Sequence, residues 1–195
     1  MITRTWIAIA AALTAAVPGI AAAQANAQAS DQRYTCCNLR YEKDWISDHS
    51  LTTRSFVPIG AQVVVTDWGR GTVYALIDGV KMRAGVDYGH FKGTREQLAE
   101  TLFVRDDPKV RLAGFAPAVQ AAIRAGRIVL GMTKEQVLMS LGPPRYEITP
   151  LPQSAANWVY YASDDGEFDI DFSDSGTAIA INAPSRVRDL VVHRP

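Results

Sequence analysis

Ile128-Val-Leu-Gly-Met-Thr-Lys-Glu-Gln-Val-Leu-Met-Ser-Leu-Gly-Pro-Pro144 reads as one complete short helix with both ends encoded. Thr133 as N-cap and Gln136 three residues later form a capping box, each side chain satisfying a first-turn backbone N–H that the helix itself leaves without an acceptor. Glu135 sits at the positive end of the helix dipole. Val137, Leu138 and Leu141 recur at helical spacing as an apolar face. Gly142 supplies a left-handed C-cap, and Pro143 and Pro144 cannot continue the helix. A helix this short needs a packing partner to persist in water.

The flanking sequence supplies that partner. Asn157-Trp-Val-Tyr-Tyr161 reads as a strand, and Glu167-Phe-Asp-Ile-Asp-Phe172 alternates so that Phe168, Ile170 and Phe172 face one side and three carboxylates the other, the signature of a half-buried sheet. Upstream, Pro117 to Ala125 is an amphipathic helix with Val119 and Ile123 one turn apart and Gly126 as its C-cap. Downstream, Val187 to Val192 is expected as the last strand of a meander of three or four. The sum is a layered α+β unit over residues 116–195.

The first half has a different rhythm. Ser30 to about Ser55 is polar and aromatic without a sustained period and reads as a wrapped segment. Three β-like runs follow: Phe56 to Thr66, broken by Pro58 and Gly60, then Thr72 to Ile77, then Val80 to Ala84. Trp68-Gly-Arg-Gly71 turns the first pair, and Asp78-Gly79 is a two-residue hairpin signal accommodating positive φ. A small curled antiparallel sheet over residues 28–91, similar to an SH3-type barrel, is the expectation. Residues 92–115 form a helical connection: Thr94 and Gln97 make a second capping box, and Asp107-Pro108 places a cap residue before proline at the first helical position.

The order Ile-x-x-Gly-Met-Thr-x-x-x-Val-x-x-x-Leu-Gly-x-Pro, then Trp-x-Tyr, then an alternating strand and a turn at Asp174-Ser-Gly176, resembles the BamE (SmpA/OmlA) family of bacterial outer-membrane assembly proteins from about Ala116 to about Val192. The resemblance implies a cell-envelope protein that works by binding other proteins. It also implies a lipidated cysteine directly after an export signal, and here the chain departs from the pattern. Arg4, the apolar run Trp6 to Val17 and the small residues up to Ala29 read as a signal peptide over about residues 1–27, cleaved between Gln24 and Ser30. The cysteines lie further on, preceded by Tyr34-Thr35. A soluble periplasmic chain is therefore expected rather than an acylated one.

Those two cysteines, Cys36 and Cys37, are adjacent and the only ones present. They cannot staple distant parts of one chain, which leaves a vicinal disulfide, pairing with another molecule, or buried thiols. With 20 basic and 20 acidic residues the chain has no net charge, so no broad basic field exists for nucleic acid.

Few constellations suggest chemistry. Asp169, Asp171 and Asp174 with Gly176 look superficially like a calcium loop, but Ile170 and Phe172 alternate with the acids and no bidentate Glu follows, so the pattern reads as the wet face of a strand. His49, His90 and His193 are scattered and form no zinc motif. A Cys–His nucleophile pairing Cys36 or Cys37 with His49 or His90 has no local support. Gly85-Val-Asp-Tyr-Gly-His90 is a polar aromatic turn placed where side chains could meet a ligand, although two glycines around Asp-Tyr also suit a plain tight turn. Trp45 and Trp68 suit either a core lid or a recognition surface.

The sequence thus leads to a non-enzymatic protein-interaction module in the periplasm, an accessory of outer-membrane or envelope assembly. No catalytic residue, metal or cofactor is assigned. Its partner is expected to be another envelope protein met through Trp45, Asp87, Tyr88 and His90, with peripheral contact with the outer membrane as a further expectation. The alternative is a binding domain for a small molecule, lipid headgroup or wall fragment, held in a cleft between the N-terminal sheet and the C-terminal unit. A concave polar pocket would favour that alternative and a flat apolar patch the partner protein.

Overall fold

A computed structural model describes residues 32–48, 55–87, 90–162 and 166–194. The expected signal peptide, His49 and Tyr88 lie outside the described residues. The fold is α+β: one curled six-stranded sheet, a three-stranded sheet and several short helices.

The large sheet is built around two hairpins. Strand β5 (Gln62–Gly69) pairs with β6 (Thr72–Ile77), and β6 with β7 (Val80–Gly85), both antiparallel. Asp78 and Gly79 both take positive φ, 47° and 81°, as a two-residue turn matched to the twist of its strands requires. The first turn is tighter than expected. Trp68 and Gly69 continue β5, leaving Arg70 and Gly71 as the bend, with a bulge between Val65 and Asp67 absorbing the extra residue.

The stretch expected to wrap irregularly instead supplies strands. β1 (Arg33–Thr35) lies beside β5, β2 (Leu39–Arg40) pairs with β4 (Phe56–Val57), and β3 (Trp45–Ser47) runs parallel to β7, so the sheet is mixed rather than antiparallel throughout. Each has only two or three residues, too few to show an alternation, yet Leu39 and Ile46 point into the core. β8 (Phe103–Val104) closes the order β3-β7-β6-β5-β1-β8. Helix α1 (Arg95–Leu102), started by the expected Thr94–Gln97 capping box, lays Leu98, Ala99 and Leu102 onto this sheet.

The second layer follows the sequence closely. Helix α2 (Pro108–Ala113) is capped by Asp107, and α3 (Pro117–Arg124) ends in a Schellman motif. There the N–H of Arg127 bonds to the carbonyl of Ala122, that of Gly126 to Ile123, and Gly126 has φ 63°. Helix α4 (Lys134–Leu141) opens with the Thr133–Gln136 box. Its buried face is Val137, Met139, Ser140 and Leu141, whereas Leu138 is half-buried. Gly142 has the positive φ expected, 82°, but ψ is −174° rather than left-handed helical. The following Pro143 excludes the helical value and leaves a region open almost solely to glycine. Strands β9 (Asn157–Tyr161), β10 (Glu167–Phe172) and β11 (Ala178–Asn182) form the meander, with Trp158, Tyr160, Phe168, Ile170 and Phe172 buried against α3 and α4.

The C-terminal expectation fails. Residues Ser185–Val191 form a helix, α5, and not a strand, with Val187 and Val191 buried one turn apart. Their spacing, with Leu190 between them, already fits a helix, and the two sheet edges beside β10 are taken by β9 and β11. The 92–115 connection is divided between the cores: Leu98, Ala99, Leu102 and Phe103 join the first cluster and Leu112 the second.

A stability consequence arises at the box. Thr133 accepts the N–H of Gln136 and Gln136 accepts that of Thr133, so Thr133→Ala is expected to destabilise by about 1 kcal/mol in urea melts.

Candidate functional site

The outward face of the large sheet is set by register. Tyr74 lies opposite Arg83, and Arg83 opposite Trp45, so the three form a row across β6, β7 and β3 while Ala84 and Ile46 turn inward. Trp45 lies flat because position 85 is glycine; a Cβ there would run into the indole ring. The Arg83 guanidinium stands 5.4 Å from the Trp45 ring centroid in cation–π geometry. Asp44 holds it with two charge-assisted bonds, from Nε at 2.7 Å and Nη2 at 2.8 Å. That contact keeps the Asp44 carboxyl below the usual carboxylate range and raises Arg83. Because the Asp44 value is depressed in the fold, the ion pair is complete above the ordinary carboxylate range and is lost only as pH falls through the lowered value.

The Trp45 indole N–H donates to Asp87 at 3.2 Å, so two of the expected binding residues meet directly. Asp48, itself buried, accepts the backbone N–H of Asp87 at 2.9 Å and that of Phe91 at 3.0 Å. His90 belongs to a different neighbourhood. Its backbone has φ 56°, and its Nε2 lies 3.6 Å from Glu147 in the loop after α4, where Phe91 also packs on Tyr146 with ring centroids 4.9 Å apart. Glu147 and Glu167 both pair with Arg145. His90 therefore joins the sheet to the second layer, whereas Trp45 and Asp87 stay with the sheet face.

Asp44, Asp48, Tyr74 and Arg83 were not singled out from the sequence. Arg83 and Tyr74 occupy outward positions of alternating strands, a signal that was present. Asp48 gave none, since its partners are backbone groups about forty residues away.

Elsewhere, Asp169 and Asp171 are bridged on both sides by amides. Asn157 Nδ2 donates to each at 2.8 Å, and Asn182 Nδ2 donates at 2.7 and 2.8 Å. The acidic strand face is thus satisfied by neighbouring side chains. Cys36 and Cys37 are bonded to each other, so neither offers a thiol to His90. The junction between the sheet and the second layer, where a ligand cleft was the alternative, holds a cavity of about 20 Å³ lined by Asn38, Ile46, Asp48 and Leu141, room for about one water, and an open groove of about 620 Å³ between Cys36 and Val104 on one side and Leu138 and Met139 on the other. Among the described residues, no helix is long and apolar enough to cross a membrane.

No family model matches the chain, and no curated protein or solved structure shows significant similarity to it.

Proposed function

We propose that this protein is a non-enzymatic interaction module of the bacterial periplasm that docks another envelope protein on the outward sheet face. The observation that carries the reading is the outward row Tyr74, Arg83 and Trp45, with Tyr74 38% exposed and Val64 of β5 53% exposed. Tryptophan, tyrosine and arginine are the residues in which interfaces concentrate binding energy. Here Asp44, Asp48 and Gly85 fix two of them before a partner arrives, which lowers the entropy lost on binding. The cell address rests on the signal-peptide pattern of residues 1–27, and the assembly role on the resemblance to the BamE family over residues 116–192.

Retention of an envelope partner by immobilised protein tests the surface. Trp45→Ala and Arg83→Ala are each expected to weaken the same partner by about 2 kcal/mol, roughly thirty-fold in Kd, while Val110→Ala, away from this sheet face, leaves it unchanged. Equal retention by all three variants would remove the sheet face from consideration.

Mass spectrometry of the exported chain tests the address. The expected N-terminus falls between Gln24 and Ser30, with no acyl increment at Cys36; a chain still beginning at Met1 or acylated at Cys36 contradicts it.

A further inference from the structure

The two sulfurs of the Cys36–Cys37 disulfide live in different surroundings. Cys37 is fully buried in the first core, facing the start of the Gly142 turn. Cys36 is partly exposed and lines an open groove of about 620 Å³ walled by Val104, Val110, Leu138 and Met139. The main chain on either side is pinned, since the Cys36 N–H bonds to the carbonyl of Leu102 at 2.9 Å and the Asn38 N–H to that of Met139 at 3.0 Å. A disulfide is opened by a thiolate that approaches one sulfur and expels the other. The groove gives such access to Cys36, and the surrounding core denies it to Cys37.

We propose that Cys36–Cys37 is a thiol–disulfide exchange site, entered through this groove, whose reductant is a dithiol and whose attacked sulfur is Cys36. The incoming thiolate forms a bond to Cys36 Sγ, the Cys36–Cys37 bond breaks, and its electron pair leaves on Cys37 Sγ, which takes up a proton. The reductant's second thiolate then attacks its own sulfur in the mixed disulfide and releases Cys36 as a thiolate, which is protonated in turn. The dithiol departs as a disulfide, oxidised by two electrons, and the cysteine pair has gained them with two protons. A monothiol fails at the midpoint. Held one residue from Cys36, the Cys37 thiol gives up its proton and returns to Cys36, expelling the monothiol before a second one arrives, whereas a dithiol carries its resolving sulfur with it. Small dithiols and protein dithiols share this chemistry, and the apolar walls admit both. The site is independent of the docking face, which lies on β3, β6 and β7.

The test uses the full exported chain without denaturant. Dithiothreitol and a thioredoxin-fold dithiol protein are each expected to reduce the pair, while glutathione at equal thiol concentration leaves it oxidised. Acid quenching during reaction with a thioredoxin-fold protein lacking its resolving cysteine should catch a transient mixed disulfide on Cys36, located by tandem mass spectrometry, before Cys37 expels it. Val110→Trp, at a position 75% exposed and therefore tolerant of bulk, should slow reduction about ten-fold by filling the groove, and Val64→Trp on the sheet face should not. Faster reduction by the protein at matched thiolate concentration makes a protein the source of the dithiol; equal or slower reduction makes it a small molecule. Trapping on Cys37 as often as on Cys36, full reduction by glutathione, or a Val110→Trp rate equal to that of the unmodified chain would each overturn the proposal.

Discussion

Asn38→Leu is expected to destabilise the protein by roughly 3 kcal/mol or more, because one buried amide serves three backbone groups at once. Its Nδ2 donates to the carbonyl of Ile123 at 2.6 Å and to that of Ser140 at 3.0 Å, and its Oδ1 accepts the N–H of Ile59 at 3.0 Å. Ser140 lies in the last turn of α4, whose carbonyls run out of intrahelical partners, while the Ile123 carbonyl at the end of α3 takes this bond beside that from the Gly126 N–H. A single side chain from the first layer therefore caps two helices of the second and holds the Ile59 turn as well. Leucine keeps the volume but leaves the Ser140 carbonyl and the Ile59 N–H without this partner, and each such loss costs about 1–3 kcal/mol. Asn38→Asp separates polarity from packing. At neutral pH its carboxylate still accepts from Ile59 but cannot donate, so it should be destabilising too. Facing two carbonyl oxygens in a buried site, the acid has a raised pKa in the fold, and its stability is retained below the ordinary value and lost as pH rises through the raised one. Urea melts should show Asn38→Asp closer to the unmodified chain in mildly acid solution than at neutral pH, and Asn38→Leu equally impaired at both. An Asn38→Leu variant as stable as the parent would mean that this amide is not the joint between the layers.

Trp158→Ala is expected to cost more still, about 3–5 kcal/mol, the range for emptying a large aromatic site in a core. Trp158 is fully buried in β9, packs on Phe172 with ring centroids 4.9 Å apart, and donates its indole N–H to the carbonyl of Pro152 at 2.7 Å. Loss of the ring opens a cavity beneath α4 and releases the loop that returns from that helix to the sheet. Trp158→Phe keeps most of the packing and forfeits the hydrogen bond, so its cost should be nearer 1 kcal/mol. Comparable losses for the two variants would place the energy in the loop anchor rather than in the core.

These two residues also show what could be read from the chain. Trp158 was legible only as part of a strand: the apolar run Trp158 to Tyr161 does not alternate, so which of its side chains turn inward came from pairing with β10, whose period of two was readable. The starts of α1 and α4 were legible outright. A capping box spans four residues, and its bonds form within the segment that encodes them. The Asp78-Gly79 hairpin likewise carries its own turn chemistry.

Asn38 was not legible, because its partners are 21, 85 and 102 residues away and none constrains the local sequence around it. The strands β1, β2 and β3 escaped notice since two or three residues cannot display a period, and pairing with distant edges alone makes them strands. The docking row divides along the same line. Trp45 and Asp87 were singled out as candidates, but their contact, the Arg83 clamp and the Asp48 anchor appear only when β3 is laid parallel to β7. The sequence by itself determined the α+β class, the starts of α1 and α4 and the buried side of β10, since those depend on interactions within a few residues. Tertiary structure alone decided the strand order, the joint at Asn38 and the unequal exposure of the two cysteines, since each depends on which distant surface the chain meets.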